Sequence, residues 1–236
     1  MLPRPAIAMG IALAALAFSR PCHAASPEES FRKNFPRIPV ESVQPSPVPG
    51  IYEIATPGEI LYYAPEAECF FAGPLITKEG KNLTQERLNA ITARKLQGAP
   101  LDKAIRIGSG PNTVIEFTDP DCSHCRRASQ FFAQRTDATR YVFFLPLGMH
   151  KNAEAKVRHV LCRPDRAHAY EEAMTGKLDN MAFPPCQDPA AEALLQEHRA
   201  VAREAGIAGT PFFLVNGQAV FGADLPLLER LLGGKQ

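Results

Sequence analysis

An excess of charge of either sign is missing from this sequence: 26 Lys and Arg stand against 25 Asp and Glu in 236 residues. Binding to phosphate backbones needs a surplus of cations, so a primarily nucleic-acid-binding protein is excluded. Long hydrophobic runs are missing too. Ile7 to Phe18 is about a dozen residues, well short of the roughly 20 that cross a bilayer. No later stretch is apolar enough to do so. Six cysteines are too few for a small disulfide-laced scaffold, though each matters individually. No internal repeat recurs, and the only biased tract is rich in proline. With 45% hydrophobic and 22% charged residues, the composition is that of a globular chain rather than a disordered one.

What is present begins with an export signal. Arg4 supplies a positive start, Ile7 to Phe18 the apolar segment, and Cys22-His23-Ala24 a small residue suited to cleavage. Ser19-Arg20-Pro21 before Cys22 argues against lipidation. Cleavage after Ala24 leaves 212 residues, removes Arg4, Arg20 and Cys22, and leaves 24 basic against 25 acidic residues. Export to an oxidising compartment makes disulfides legitimate for the five remaining cysteines.

Ser26 to Asn34 reads as a short helix, with Ser26 as cap, Pro27 at its first position, and Glu28 and Glu29 at its positive end. Pro36 to Pro49 is extended chain. Three strands follow, at Ile51–Ile54, Ile60–Tyr63 and Cys69–Phe71, with turns at Pro57-Gly58 and Pro65-Glu66. A helix over Asn82–Leu96 ends at Gly98-Ala99-Pro100. The second block reads β-α-β, a helical insertion, then β-β-α. Its strands are Thr113–Phe117, Tyr141–Leu147, Phe212–Val215 and Ala219–Phe221. Its helices are Cys122–Arg135, a stretch over roughly Ala153–Gly176 broken near Pro164, Ala190–Ala205 and Leu225–Leu232. Pro184-Pro185 breaks the chain.

The chemistry lies in Cys122-Ser123-His124-Cys125, at a strand-to-helix junction. A CxxC at a helix start turns its first thiol to solvent and its second inward. The unpaired N–H groups there favour a thiolate at Cys122, which attacks a disulfide, while Cys125 resolves the mixed disulfide. His124 can further stabilise that thiolate. A passive Cys122–Cys125 disulfide and a zinc site made with Cys162 and Cys186 are the competing readings, and the later spacings do not suit a compact zinc knuckle. The five cysteines divide into the reactive pair, a Cys162–Cys186 pair across the Pro184-Pro185 break, and Cys69 alone, which reads first as a buried small hydrophobe and second, given the odd count, as half of an intermolecular disulfide. Glu116 lies in an apolar strand. It reads either as a partly exposed strand residue or as a buried carboxylate beneath the dithiol that exchanges protons during the cycle. Gly209-Thr210-Pro211 stands directly before a strand, where proline is ordinary.

Taken together, these motifs resemble the periplasmic thiol:disulfide isomerases, the DsbC and DsbG group of the thioredoxin superfamily, from about Phe35 to Leu232. The matching runs are Pro45-Ser46-Pro47-Val48-Pro49-Gly50-Ile51-Tyr52, Phe117-Thr118-Asp119 with the CxxC, Gly209-Thr210-Pro211, and Cys162 with Cys186. The resemblance implies an α+β N-terminal dimerisation domain joined by a linker helix to a thioredoxin-like α/β domain with a helical insertion. It divides the chain into a signal peptide at 1–24, a dimerisation domain at 25–80, a linker helix at 81–104 and a catalytic domain at 105–236. It implies a cis Thr210-Pro211 bond beside the dithiol, with both residues binding substrate backbone, and a structural Cys162–Cys186 disulfide. It implies no cofactor and no metal. The partners it implies are misfolded exported proteins with disulfides, a second copy of the chain, and a transmembrane thiol reductase. Ser-His between the cysteines replaces the common Gly-Tyr and resembles the oxidising DsbA-type motif, whose buried acid Glu116 also matches.

The function expected is therefore isomerisation or reduction of wrong disulfides in the periplasm. The alternatives are a dimeric DsbA-like oxidase donating its Cys122–Cys125 disulfide, a holdase that retained the fold, and a metal carrier. Dimerisation is expected through residues of roughly 35 to 80. Unpaired edges at Ile51–Ile54 and Ile60–Tyr63 would meet their copies, burying Tyr62, Tyr63, Phe70 and Phe71 more fully.

Overall fold

The computed structural model describes residues 25–183, 186 and 188–233. The expected signal peptide and the Pro184-Pro185 break lie outside the described residues.

Helix α1, Pro27–Asn34, starts as its local sequence dictates. The Ser26 hydroxyl accepts the Glu29 amide at 3.2 Å, and the Glu29 carboxylate accepts the Ser26 amide at 2.8 Å. A four-stranded antiparallel meander follows: β1 Ser42–Pro45, β2 Tyr52–Thr56, β3 Glu59–Ala64 and β4 Cys69–Ala72. Alternation along β2 and β3 divides the apolar side chains between two faces. Ile54, Leu61 and Tyr63 pack with Phe31 of α1, whereas Ala55, Ile60 and Tyr62 pack with Ile91 of α2, Leu83–Leu96. The Tyr62 hydroxyl bonds Thr84 on α2 at 2.5 Å.

Two expectations for this sheet are corrected. A fourth strand, β1, forms inside the proline-rich tract, and Pro45 is tolerated because β1 is an edge strand. The strands at Ile51–Ile54 and Ile60–Tyr63 are therefore interior, and the free edges belong to β1 and β4. Tyr62 and Tyr63 are already buried within one chain, while Phe71 on β4 is 51% exposed. Cys69, expected to be buried, is exposed on that same edge.

The second sheet has order β5-β7-β6-β8-β9, comprising β5 Ile105–Ile107, β6 Asn112–Thr118, β7 Ala138–Phe144, β8 Phe212–Val215 and β9 Gln218–Phe221. Only β6 and β7 are parallel, joined by α3, Ser123–Ala133. Strand β5 was not expected. It has three residues and exists through its pairing with β7. Strand β7 lies three residues earlier than Tyr141–Leu147. Pro146 cannot donate to a ladder, and the Leu145 and Leu147 amides donate instead to the Thr118 carbonyl (2.8 Å) and the Asp119 carboxylate (2.7 Å).

The insertion is α4, Ala153–Leu161, and α5, Arg166–Met174. Helices α6, Pro189–Ala205, and α7, Leu225–Leu231, complete the chain. One sheet face packs Val114, Phe213 and Val215 on Ala128 and Phe132 of α3 and Leu228 of α7. The other packs Ile115, Phe117 and Phe143 on Ala202 and Ala205 of α6. The architecture is thus an α+β N-terminal unit joined through α2 to an α/β unit with inserted helices.

The small N-terminal sheet also packs on the second block. Gly58 in the β2–β3 turn (φ +83°) meets Gly206 at the end of α6 (φ +75°). A Cβ on Gly206 would sit 2.9 Å from the Gly58 amide nitrogen, so only glycines permit this approach. Beside them, the Thr92 hydroxyl of α2 donates to the Ala205 carbonyl at 3.2 Å.

Candidate active site

Strand β6 ends at Thr118, and Asp119-Pro120-Asp121 leads to Cys122, the N-cap of α3. No side-chain oxygen caps this helix, so its first N–H groups are left to the Cys122 sulfur and its surroundings. The loop is fixed by the fully buried Asp119. Its carboxylate accepts the Asp121 and Leu147 amides, each at 2.7 Å, and lies 2.9 Å from His150 Nδ1. Its carbonyl accepts the Cys122 amide at 3.1 Å.

Cys122 keeps 7% of its surface exposed and Cys125, one turn inward, keeps none. Only Cys122 can meet a large substrate. Burial pushes the Cys125 thiol far above its ordinary range, outweighing the help it receives from Thr210. Thr210-Pro211 is a cis bond, and the Cys122 sulfur lies 3.6 Å from the Thr210 carbonyl. His124 is exposed on the first turn of α3.

Glu116 is fully buried, so it is not an exposed strand residue. It is also not a solitary acid. Arg140 donates to Glu116 Oε2 at 3.0 and 2.6 Å, and the Tyr170 hydroxyl donates to Oε1 at 3.1 Å. Neither sulfur is among its described partners. Cys162 and Cys186 are bonded, with Cα atoms 6.1 Å apart, and tie the end of α4 to the segment before α6. A cavity of about 590 Å³ opens between the β2–β3 turn and α6, lined by Pro57, Leu145, Arg199 and Arg203 among others, and the dithiol is not on its wall.

Sequence reasoning missed Asp119, Asp121, Arg126, His150, Lys156 and Asp179 as a surround for Cys122. One signal was available. Lys156 falls three residues after Ala153 and four before Val160, on the buried stripe of α4, where an unpaired lysine is costly. The carboxylates that meet it come from distant segments, and no spacing in the sequence announces them.

A thiol pair at a helix N-cap, beside a cis-proline loop and at the end of a central strand, defines a thiol-disulfide oxidoreductase of thioredoxin fold. Comparison with known proteins refines this. Residues 21–85 match the disulfide bond isomerase protein N-terminal domain, and residues 101–224 match the thioredoxin-like domain. The thiol:disulfide interchange protein DsbC of Salmonella typhimurium is 25% identical over 92% of this chain and 91% of its own length. DsbC of Escherichia coli is 26% identical over 80% of this chain and 79% of its own. The thiol-disulfide exchange protein alpha-DsbA2 of Wolbachia pipientis shares the fold, at a TM-score of 0.51 and 15% identity over 64% of this chain and 98% of that one.

The chain belongs to the DsbC/DsbG-like disulfide isomerases of the thioredoxin superfamily. Its activity is thiol-disulfide isomerisation or reduction, rather than the disulfide donation of the DsbA-like alternative. One expected partner is withdrawn. Among the described residues no helix is long and apolar enough to cross a membrane. The partner withdrawn is the transmembrane thiol reductase that the resemblance implied.

Proposed function

We propose that Cys122 is the attacking thiol of a disulfide isomerase and Cys125 its resolving thiol. The observation that carries this is the contrast between them: one sulfur at the rim of an uncapped helix N-terminus, the other fully buried with its thiol pushed up. The Cys122 thiolate attacks one sulfur of a substrate disulfide. The S–S bond breaks, the other sulfur leaves as a thiolate, and a mixed disulfide joins Cys122 to substrate. In isomerisation a different substrate thiolate attacks the tethered substrate sulfur. That forms a new substrate disulfide, returns Cys122 as a thiolate, and involves no net oxidation. In reduction Cys125 loses its proton and attacks Cys122, so the substrate gains two electrons and Cys122–Cys125 becomes a disulfide. Holding Cys125 protonated slows this second route and gives the tethered substrate time to rearrange.

In this reading His124 adds a donor beside the attacking sulfur. Thr210 and Pro211 offer backbone to the substrate, and Glu116 is a fixed buried charge under α3. The Cys162–Cys186 disulfide holds the insertion. Residues 25–80 form the dimerisation domain, 81–104 the linker helix and 105–236 the catalytic domain. A second copy pairs through the N-terminal sheet, where the β4 edge carries the exposed Phe71, and two Cys122 sites then share one substrate.

Refolding of a scrambled multi-disulfide substrate tests the assignment. The mature chain restores the native pairing, Cys122→Ala abolishes it, and Cys125→Ala retains isomerisation while losing net reduction. Rearrangement that survives Cys122→Ala sinks the reading. Light scattering tests the second copy: a dimer is expected, and a monomer at micromolar concentration removes the shared site.

A further inference from the structure

We propose that Lys156, together with Arg126 and Asp179, neutralises Asp121 and thereby sets the charge felt by the Cys122 sulfur, making this four-residue network a tuning and positioning element of the dithiol. The inference rests on the assignment of Cys122 as the attacking thiol.

Asp121 immediately precedes Cys122. Lys156, only 3% exposed on α4, donates from Nζ to Asp121 Oδ1 and, at 2.6 Å, to Asp179 Oδ1. Arg126, on the first turn of α3, closes the circuit. Its two terminal nitrogens donate to Asp179 at 2.7 and 2.6 Å, one of them reaches Asp121 at 3.4 Å, and its Nε donates to the Pro120 carbonyl at 2.6 Å. The loop before the attacking sulfur is thus gripped by α3, by α4 and by the segment after α5. Hydrogen bonds from Arg126 and then Lys156 hold the Asp179 carboxyl far below the ordinary carboxylate range, so it keeps its charge.

Two carboxylates and two cations cancel. The other polar groups around Cys122 are the same in every variant and drop out of the comparison. Asp119 is met by His150 and two amides, His124 stands exposed on the first turn of α3, and the Thr210 carbonyl is neutral. A buried lysine is an expensive way to hold a helix in place, because an apolar side chain would pack there without desolvating a charge. Its only described side-chain partners are the two carboxylates. What the ammonium supplies is charge balance beside a sulfur that must become an anion. Removing the cation leaves a net negative charge next to Cys122, disfavours its thiolate, and makes the dithiol more reducing. Removing the carboxylate does the reverse.

The experiment equilibrates the mature chain and its variants with glutathione, and follows iodoacetamide alkylation of Cys122 at pH 6. Lys156→Met is expected to shift the equilibrium constant about fivefold toward the disulfide and to slow alkylation by a similar factor. Asp121→Asn is expected to move both about fivefold the other way. The double variant, neutral again, returns close to wild type, and Lys156→Arg keeps the wild-type poise. A purely structural network would give same-sign losses in both single variants and a worse double variant, and that result overturns the proposal. If Lys156→Met does not fold, Asp121→Asn and Asp179→Asn must each still shift toward the oxidising side, and the absence of either shift also overturns it. Alkylation that persists in Cys122→Ala would instead overturn the assignment of Cys122, and the tuning role with it.

Discussion

The Glu116–Arg140 pair and the Lys156 network both set carboxylates against cations along α3, yet water reaches only one of them. Glu116, Arg140 and Tyr170 are all buried, and the Arg140 guanidinium is also sandwiched, 4.7 Å from the Phe132 ring centroid and 5.2 Å from that of Tyr170. The Lys156 network opens to solvent through Asp179 and Arg126, whose side chains are 36% and 25% exposed. The sealed cluster lies under the middle of the helix, where the Tyr170 hydroxyl reaches Ser129 at 3.4 Å, and it reaches neither sulfur. The open one abuts Cys122. The same pairing therefore serves two ends. In the sealed cluster a missing partner strands a charge and costs stability. In the open one solvent softens that cost, and the residual field falls on the reacting sulfur.

Arg140→Met gives the largest expected effect. It leaves Glu116 buried without its cation, and breaking a buried pair this way costs about 3–5 kcal/mol. Urea unfolding should show that loss, while the folded fraction should keep the wild-type glutathione equilibrium. A shift in that equilibrium as large as the one expected for Lys156→Met would erase the distinction between the two clusters and return Glu116 to a direct part in the redox cycle.

How much of this was legible depends on how local each cause is. The α1 cap was, because Ser26 and Glu29 are three residues apart and serve each other. The β2–β3 hairpin was, because Pro57-Gly58 encodes its turn. Strand β1 was hidden behind Pro45, and β5 is too short to show a period, so both exist only through their partners. The CxxC was plain, since its two thiols and the helix beneath them are contiguous. The cis Thr210-Pro211 bond could be expected only by resemblance, because local chemistry favours trans. The surround of Cys122 was legible only in the place of Lys156 on the buried stripe of α4. His150 and Lys156 meet the Asp119–Asp121 loop from 31 and 35 residues away, Asp179 joins them through Arg126 and Lys156, and only the fold brings them together. Cys69 misled for the opposite reason: its apolar neighbours suggested burial, and the edge position of β4 leaves it exposed.

A third buried polar group sharpens the comparison, because it has no counter-charge at all. His198 on α6 is fully buried; its Nδ1 accepts the Phe144 amide at 3.0 Å, and its Nε2 lies 2.9 Å from the Lys103 carbonyl, to which it donates. Both ring nitrogens are satisfied only by the neutral ring. Burial lowers its pKa from 6.5 to about 4, against the small upward pull of the Lys103 carbonyl and with the help of Arg166. The unfolded chain, in which the ring titrates near its ordinary value, binds more protons than the folded one between these limits. The stability tied to the neutral ring is therefore complete above pH 6.5 and is lost as pH falls towards 4, a change of about 3 kcal/mol. His159, lowered by partial burial and by Arg163, adds a contribution of the same sign. The carboxylates held low by ion pairs, Asp179, Glu154 and Glu192, give way only at lower pH. Urea midpoints measured between pH 7 and pH 4.5 should fall steeply in the wild-type chain. In His198→Gln they should start lower, since the ring's packing is lost, and decline less. Equal slopes in the two proteins would mean that the buried ring is not the group that titrates, and that acid acts first on the ion-paired clusters along α3.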